Sequence, residues 1–325
     1  MKKHLDIVDF LRGFSIFTIV LMHLFQSYPM PNILYKIFSF GGAGVHVFIL
    51  CSGFGLYLSY LYKPLKYKDF LKRRFTKVYI PYIIVILASA LIPFYNTSED
   101  KWFQLLSHVF LFKMFDETLE SSYGGQMWFV STIIQFYVLW PIILKLFKNK
   151  YSFVISLFIS LLWATFVGIT GHAEQRIWNS FFLQYLWEFI LGMHLAKLYY
   201  KAPEKIAVPS FKILIPICVI AMITTLAMAL NGGILKLYND IPSLIGYLFL
   251  SLIVYKLSIK WINKYFIYTN KISYEWYLVH VLIFVCCNYI LKGLMPIYVI
   301  IPIQLISSYL FAFCYDKLLK STKIK

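Results

Sequence analysis

The sequence predicts an all-α membrane protein: one bundle of about ten transmembrane helices with both termini in the cytoplasm. Three observations carry this. Hydrophobic residues make up 60% of the 325-residue chain, mean hydropathy is +0.71 and only 14% of residues are charged. That is more apolar surface than a soluble core of this length conceals. The apolar residues gather into windows long enough to cross a hydrocarbon layer of about 30 Å. The 31 Lys and Arg residues then alternate across the breaks, 24 on one side and six on the other, with Arg12 inside a window. Cationic connections face the cytoplasm, which sets the orientation; a bacterial cytoplasmic membrane is the expected location. Topology also accounts for the net charge of +17, so membrane lipid is an expected partner and nucleic acid is not.

The first window, 7–27, follows Met1-Lys2-Lys3 and imitates a signal peptide. Asp6, Asp9 and Arg12 interrupt it and no small-x-small cleavage site follows, so a retained span is expected. The second, 38–62, opens on Gly41-Gly42-Ala43-Gly44; the third, 78–95, follows a basic cytoplasmic run. Windows at 126–147, 152–170, 180–199, 211–230, 241–258, 273–291 and 296–315 complete the ten. The longest connection, Asn96 to Gly125, is acidic (Glu99, Asp100, Asp116, Glu117, Glu120). Within it, Trp102 to Lys113 is apolar at helical spacing but too short to span, which predicts an interfacial or re-entrant helix. No repeat is visible. Residues 1–325 read as a single domain without an appended soluble domain. The five cysteines (Cys51, Cys218, Cys286, Cys287, Cys314) all lie in apolar runs. Their spacing matches neither a disulfide framework nor a metal knuckle, so they are expected to be buried small hydrophobes, with no metal site.

The residues that invite a chemical reading are the ionisable ones inside windows. Arg12 and His23 are eleven apart, three helical turns plus about 20°, so both project from one face about 16 Å apart. An arginine within a span costs at least about 2.5–3.5 kcal/mol and calls for compensation. The plain structural reading pairs Arg12 with Asp9 and leaves His23 as a polar end-group. The functional one makes the shared face the wall of a passage. His46 is expected at a depth similar to His23, able to share a proton relay with it, or simply satisfied at a tight helix start. Ser52 lacks an adjacent base and is a poor nucleophile candidate. The run Lys72-Arg73-Arg74-Phe75-Thr76-Lys77 suits polyphosphate, or anionic lipid. Trp128 fits an interfacial belt, whereas Gln135 lies too deep for that. Ser273 and His280 share a helix face, and Glu275 and Glu188 add acids within spans. Polar groups facing inward from several helices imply a polar cavity.

These stretches together resemble the acyltransferase-3 family of integral membrane O-acyltransferases. The opening Leu5-Asp6-Ile7-Val8-Asp9-Phe10-Leu11-Arg12-Gly13 with His23 is similar to that family's Arg and His with ten residues between them in the first span. Further matches follow in order: Gly44-Val45-His46-Val47-Phe48 with Ser52-Gly53-Phe54, then Arg73-Arg74-Phe75 with Tyr79-Ile80-Pro81-Tyr82. Trp128-Phe129-Val130-Ser131 with Gln135-Phe136-Tyr137 comes next, and Ser273-Tyr274 with Tyr277-Leu278 and His280 closes the series. The chain departs from the pattern at Ile133 and Ile134, where many members carry two glutamates, at His46, where an acid or polar residue is common, and at Glu275.

The resemblance implies transfer of an acyl group, most simply acetyl, from cytoplasmic acyl-CoA to a hydroxyl of a surface or lipid-linked carbohydrate. No tightly bound cofactor is expected; acyl-CoA is a co-substrate. His23 is then the base and Arg12 its catalytic partner. Lys72, Arg73, Arg74 and Lys77 hold the CoA phosphates, while His46, Trp128, Gln135, Tyr277 and His280 position substrate. The competing reading is a transporter or flippase that moves a sugar intermediate or acyl donor without chemistry.

Overall fold

A computed structural model describes residues 5–322 and Ile324; Lys2, Lys3, Lys323 and Lys325 of the charge balance lie outside the described residues. The described residues are helical, with no strand and one isolated bridge between Lys292 and Met295. In chain order the helices are α1 (Asp6–Gln26), α2 (Asn32–Ser39), α3 (Gly44–Tyr62), α4 (Tyr67–Ala90), α5 (Lys101–Val109), α6 (Trp128–Val138), α7 (Trp140–Phe147) and α8 (Ser152–Ile169). There follow α9 (Arg176–Asn179), α10 (Leu186–Lys201), α11 (Phe211–Asn231), α12 (Gly233–Tyr238), α13 (Asp240–Leu257), α14 (Lys260–Thr269), α15 (Ser273–Leu291) and α16 (Ile297–Ser321).

Each of the ten apolar windows coincides with helix, but by length and composition seven helical stretches qualify as spans, or eight with one bent pair. The expected count of ten is thus not reached. The two outside the tally are α4, whose first three turns carry the basic run, and α10, which is only 16 residues long. The bent pair is the window at 126–147: α6 and α7 meet at 62°. Pro141 near the start of α7 has no N–H to give and crowds the carbonyl four residues back, so the helix breaks at Leu139. In the long connection, α5 carries exposed Trp102, Phe103 and Leu106 beside buried Ser107 and His108, the two-faced pattern of an interfacial helix.

Three helix contacts position the site. Helix α1 runs parallel to α15, with Phe17 against Trp276, His23 against His280 and Tyr28 against Asn288 in ascending register. Near its start α1 lies on α14, where Phe266 is edge-on to Phe10, Phe14 and Phe17. Gly13 makes that approach: a Cβ there would sit 1.8 Å from the Phe266 carbonyl oxygen. Helices α3 and α10 also run parallel, as the alternation of loop charge requires of the second and sixth windows. His46 meets Glu188, and one turn on in each helix the Leu50 oxygen would lie 2.0 Å from a Cβ on Gly192. Gly53 makes the reciprocal contact with Phe189. Small residues let the two backbones touch, which is how helices associate when lipid removes the hydrophobic drive between them.

Candidate active site

The parallel register of α1 and α15 brings two histidines together. His280 Nε2 lies 3.0 Å from His23 Nδ1, and His280 Nδ1 lies 2.9 Å from the Trp276 carbonyl oxygen. The carbonyl only accepts, so in the neutral pair His280 carries its proton on Nδ1 and offers the Nε2 lone pair. His23 must then donate from Nδ1, which leaves His23 Nε2 as the basic lone pair. His280 is fully buried, so this order is held by the protein and not by water. His46, expected as a relay partner of His23, is engaged elsewhere: its Nδ1 is 2.7 Å from Glu188 Oε1.

Arg12 turns inward. Its guanidinium carbon stands 5.8 Å from the Phe48 ring centroid, and its Nε is buried without a hydrogen-bond partner. The expected neutralisation by Asp9 is not formed: Asp9 Oδ1 accepts from Asn270 Nδ2 at 2.6 Å, and no ion pair joins Arg12 to a carboxylate among the described residues. Arg12 instead lies within electrostatic reach of Arg74 and of the buried Tyr137. The basic run splits accordingly. Lys72, Arg73 and Lys77 are exposed on α4, while Arg74 points inward with an unpartnered Nε. Two guanidinium groups within electrostatic reach of each other, with no ion pair to a carboxylate among the described residues, suit an anion.

Arg176, unremarked in the sequence, is a further cation that the fold brings to the site. It comes from the short α9 and lies within electrostatic reach of His23, His46 and Asp240. Its guanidinium stands 5.1 Å over the Trp128 ring, which is itself stacked 6.1 Å from Tyr185. Nothing in the local pattern around Arg176 marks it; only the fold carries it there. Trp128 therefore sits among the site residues, and so does Tyr277, whose hydroxyl donates to the Gln126 carbonyl and whose ring lies 6.3 Å from that of His280. Gln135 points elsewhere. Its Oε1 accepts from the Phe182 backbone N–H at 3.1 Å, beside an apolar cavity of about 290 Å³ that Ile134 also lines.

The long connection is pinned by a buried network. His108 accepts from the Tyr82 hydroxyl at Nδ1 (2.5 Å) and donates from Nε2 to Ser122 (3.0 Å). Lys113 donates to the carbonyls of Ser122 (2.7 Å) and Gly124 (3.1 Å), next to the turn that Tyr277 grips. Burial, aided by the Lys113 charge, pushes His108 down to about 3. Burial pushes Lys113 down to about 7 against the pull of Glu120.

A third group, His46, Glu188 and Asp240, gathers one ligand-capable atom from each residue within 4.8 Å of the others. No sequence spacing announced it, because the three stand at the starts of helices far apart in the chain. No curated protein and no solved structure matches this chain significantly. Residues 5–315, nearly its whole length, match the family model of the acyltransferase-3 acyltransferase domain, so the chain belongs to that family of membrane acyltransferases and is a transferase of groups other than aminoacyl.

Proposed function

We propose that the protein moves an acyl group, acetyl in the simplest case, from cytoplasmic acyl-CoA to a hydroxyl of a surface or lipid-linked carbohydrate across a bacterial cytoplasmic membrane. The observation that carries the reading is the ordered pair His23–His280, which leaves a lone pair on His23 Nε2. The acceptor hydroxyl gives its proton to His23 Nε2 as its oxygen attacks the thioester carbonyl. The C–S bond then breaks, and the imidazolium returns the proton to the departing thiolate, so the step is balanced without an outside proton. His280 stabilises the imidazolium by accepting from its Nδ1–H.

The inner half supplies the donor. Arg74 and Arg12, neither of them ion-paired among the described residues, engage the CoA phosphates, with Lys72, Arg73 and Lys77 as an exposed cationic approach. The flexible arm of CoA then lies along the face from Arg12 to His23. On the acceptor side, Trp128 and Tyr185 offer a stacked aromatic surface and Arg176 a cation, a combination suited to a sugar ring and its hydroxyls. The transporter alternative gives no role to a histidine whose lone pair is set by a second histidine, and family membership favours chemistry.

The test is radiolabelled acetyl-CoA supplied to membranes bearing the parent protein or His23→Ala, with matched insertion. Label on glycan that vanishes with His23→Ala supports the reading. Equal labelling by both proteins removes His23 as the base, and label on no acceptor with either removes the transferase assignment to carbohydrate.

A further inference from the structure

The cluster of His46, Glu188 and Asp240 takes no part in the proton transfer just described, and its hydrogen bonding is incomplete. Glu188 Oε1 stands 2.7 Å from His46 Nδ1; a carboxylate oxygen only accepts, which places the ring proton on Nδ1 and a lone pair on Nε2 of the neutral ring. That lone pair faces Asp240 Oδ1 across 3.7 Å, beyond hydrogen-bond range. Glu188 Oε2 is buried with no partner, on a side chain that is fully buried. With the ring neutral, two acceptors, His46 Nε2 and Asp240 Oδ1, therefore face each other with no donor between them, and Glu188 Oε2 stays unpartnered, a costly arrangement at low dielectric. Arg176 lies within electrostatic reach but forms no ion pair with either acid among the described residues.

We propose that His46 Nε2 and Asp240 Oδ1 hold a divalent metal ion of the zinc or manganese kind, with Glu188 behind the imidazole. Two bonds of about 2.1 Å bridge a gap like that between His46 Nε2 and Asp240 Oδ1 at an angle of about 120°. Glu188 on Nδ1–H fixes the ring tautomer, the carboxylate–histidine–metal arrangement that orients metal-bound imidazoles. Gln184 does the same service for Asp240, donating from Nε2 to Asp240 Oδ2 at 2.7 Å and to the Leu237 carbonyl at 2.8 Å. Imidazole with carboxylates favours zinc or manganese over calcium. So few protein ligands leave coordination positions open beside Tyr185, whose ring lies 5.8 Å from that of His46, and there the ion binds oxygen atoms of an acceptor.

The experiment reads metal, not acyl transfer, so its outcome is separate from that of the transferase reading. Purified full-length protein in detergent is stripped with chelator, incubated with Zn²⁺ or Mn²⁺, desalted and assayed by mass spectrometry for metal. Melting temperature is recorded with and without the added ion. The parent is expected to retain about one ion per chain and to melt higher with it. Asp240→Asn, close to isosteric and able to keep its Gln184 contact, and His46→Gln are expected to retain at least ~10-fold less and to lose the shift. Parent protein that retains no ion, or variants that retain as much as the parent, would overturn the site. Should a variant misfold, the parent's own loss of melting temperature on stripping, restored by Zn²⁺ or Mn²⁺ and not by Mg²⁺, supports it; no change on stripping refutes it.

Discussion

His23 and His280, 257 residues apart in sequence, meet at 3.0 Å because α1 and α15 run parallel in register. The order of protons in the pair starts from the Trp276 carbonyl and ends at the free nitrogen of His23. Replacement of the two is therefore expected to have unequal effects. His23→Ala should lower kcat by about 10²–10⁴-fold, the usual worth of a general base. His280→Ala should cost less and move the pH–rate profile, while His280→Asn, whose carbonyl can still accept from His23 Nδ1–H, should recover part of the rate. Equal loss in both His280 variants with an unmoved profile would assign His280 to packing alone.

Arg74 and its exposed neighbours should separate just as clearly. Arg74→Ala is expected to raise KM for acyl-CoA by at least ~10-fold, because it removes one of two inward guanidinium groups. Arg73→Ala should change KM by no more than about 2–3-fold, and that effect should fade with added salt, as expected of a solvated cation. Initial rates against acyl-CoA concentration, at low and high ionic strength, check both.

The window positions, the inward Arg12–His23 face and the order of motifs were legible in sequence because each is set by local periodicity. Partners were not. The approach of His23 to His280, of His46 to Glu188 and of Arg12 to Arg74 depends on which helices adjoin, and one-dimensional spacing is silent on that. Gln135 shows the same limit: its depth within an apolar run drew notice, but not that its Oε1 accepts from the Phe182 backbone N–H. The break at Leu139 was readable from Trp140-Pro141, but the apolar window around it masked the proline.

The α3–α10 crossing makes a stability prediction. Gly192→Ala places a Cβ 2.0 Å from the Leu50 oxygen, so the helices must separate. A loss of about 2–3 kcal/mol is expected, seen as a lower melting temperature in detergent. Gly55→Ala, with open space where the Cβ would go, should be neutral or slightly stabilising, since alanine is the better helix former.

The buried pins of the long connection should respond to pH from both sides. His108 is pushed down to about 3 when folded, against an ordinary value of 6.5. The unfolded segment therefore binds the extra proton as pH falls below about 6.5, and the folded connection loses stability progressively toward pH 3. Lys113 is pushed down to about 7 from 10.5. Its folded form sheds a proton first, so its contribution to stability rises as pH climbs from about 7 to 10.5. Hydrogen exchange over residues 96–125, corrected for intrinsic rates, should be slowest on the alkaline side of neutrality. His108→Gln should flatten the acid limb.

The ladder of contacts between α1 and α15, from Phe17–Trp276 through His23–His280 to Tyr28–Asn288, bears on how two compartments are joined. Sliding either helix by one turn would unmake every rung at once, including the pair that carries the base. A mechanism that exposes the base first to one compartment and then to the other by rocking these helices would therefore dismantle the catalyst on each cycle. On the proposed transferase reading, the two substrates would instead travel to a stationary meeting point, each from its own side.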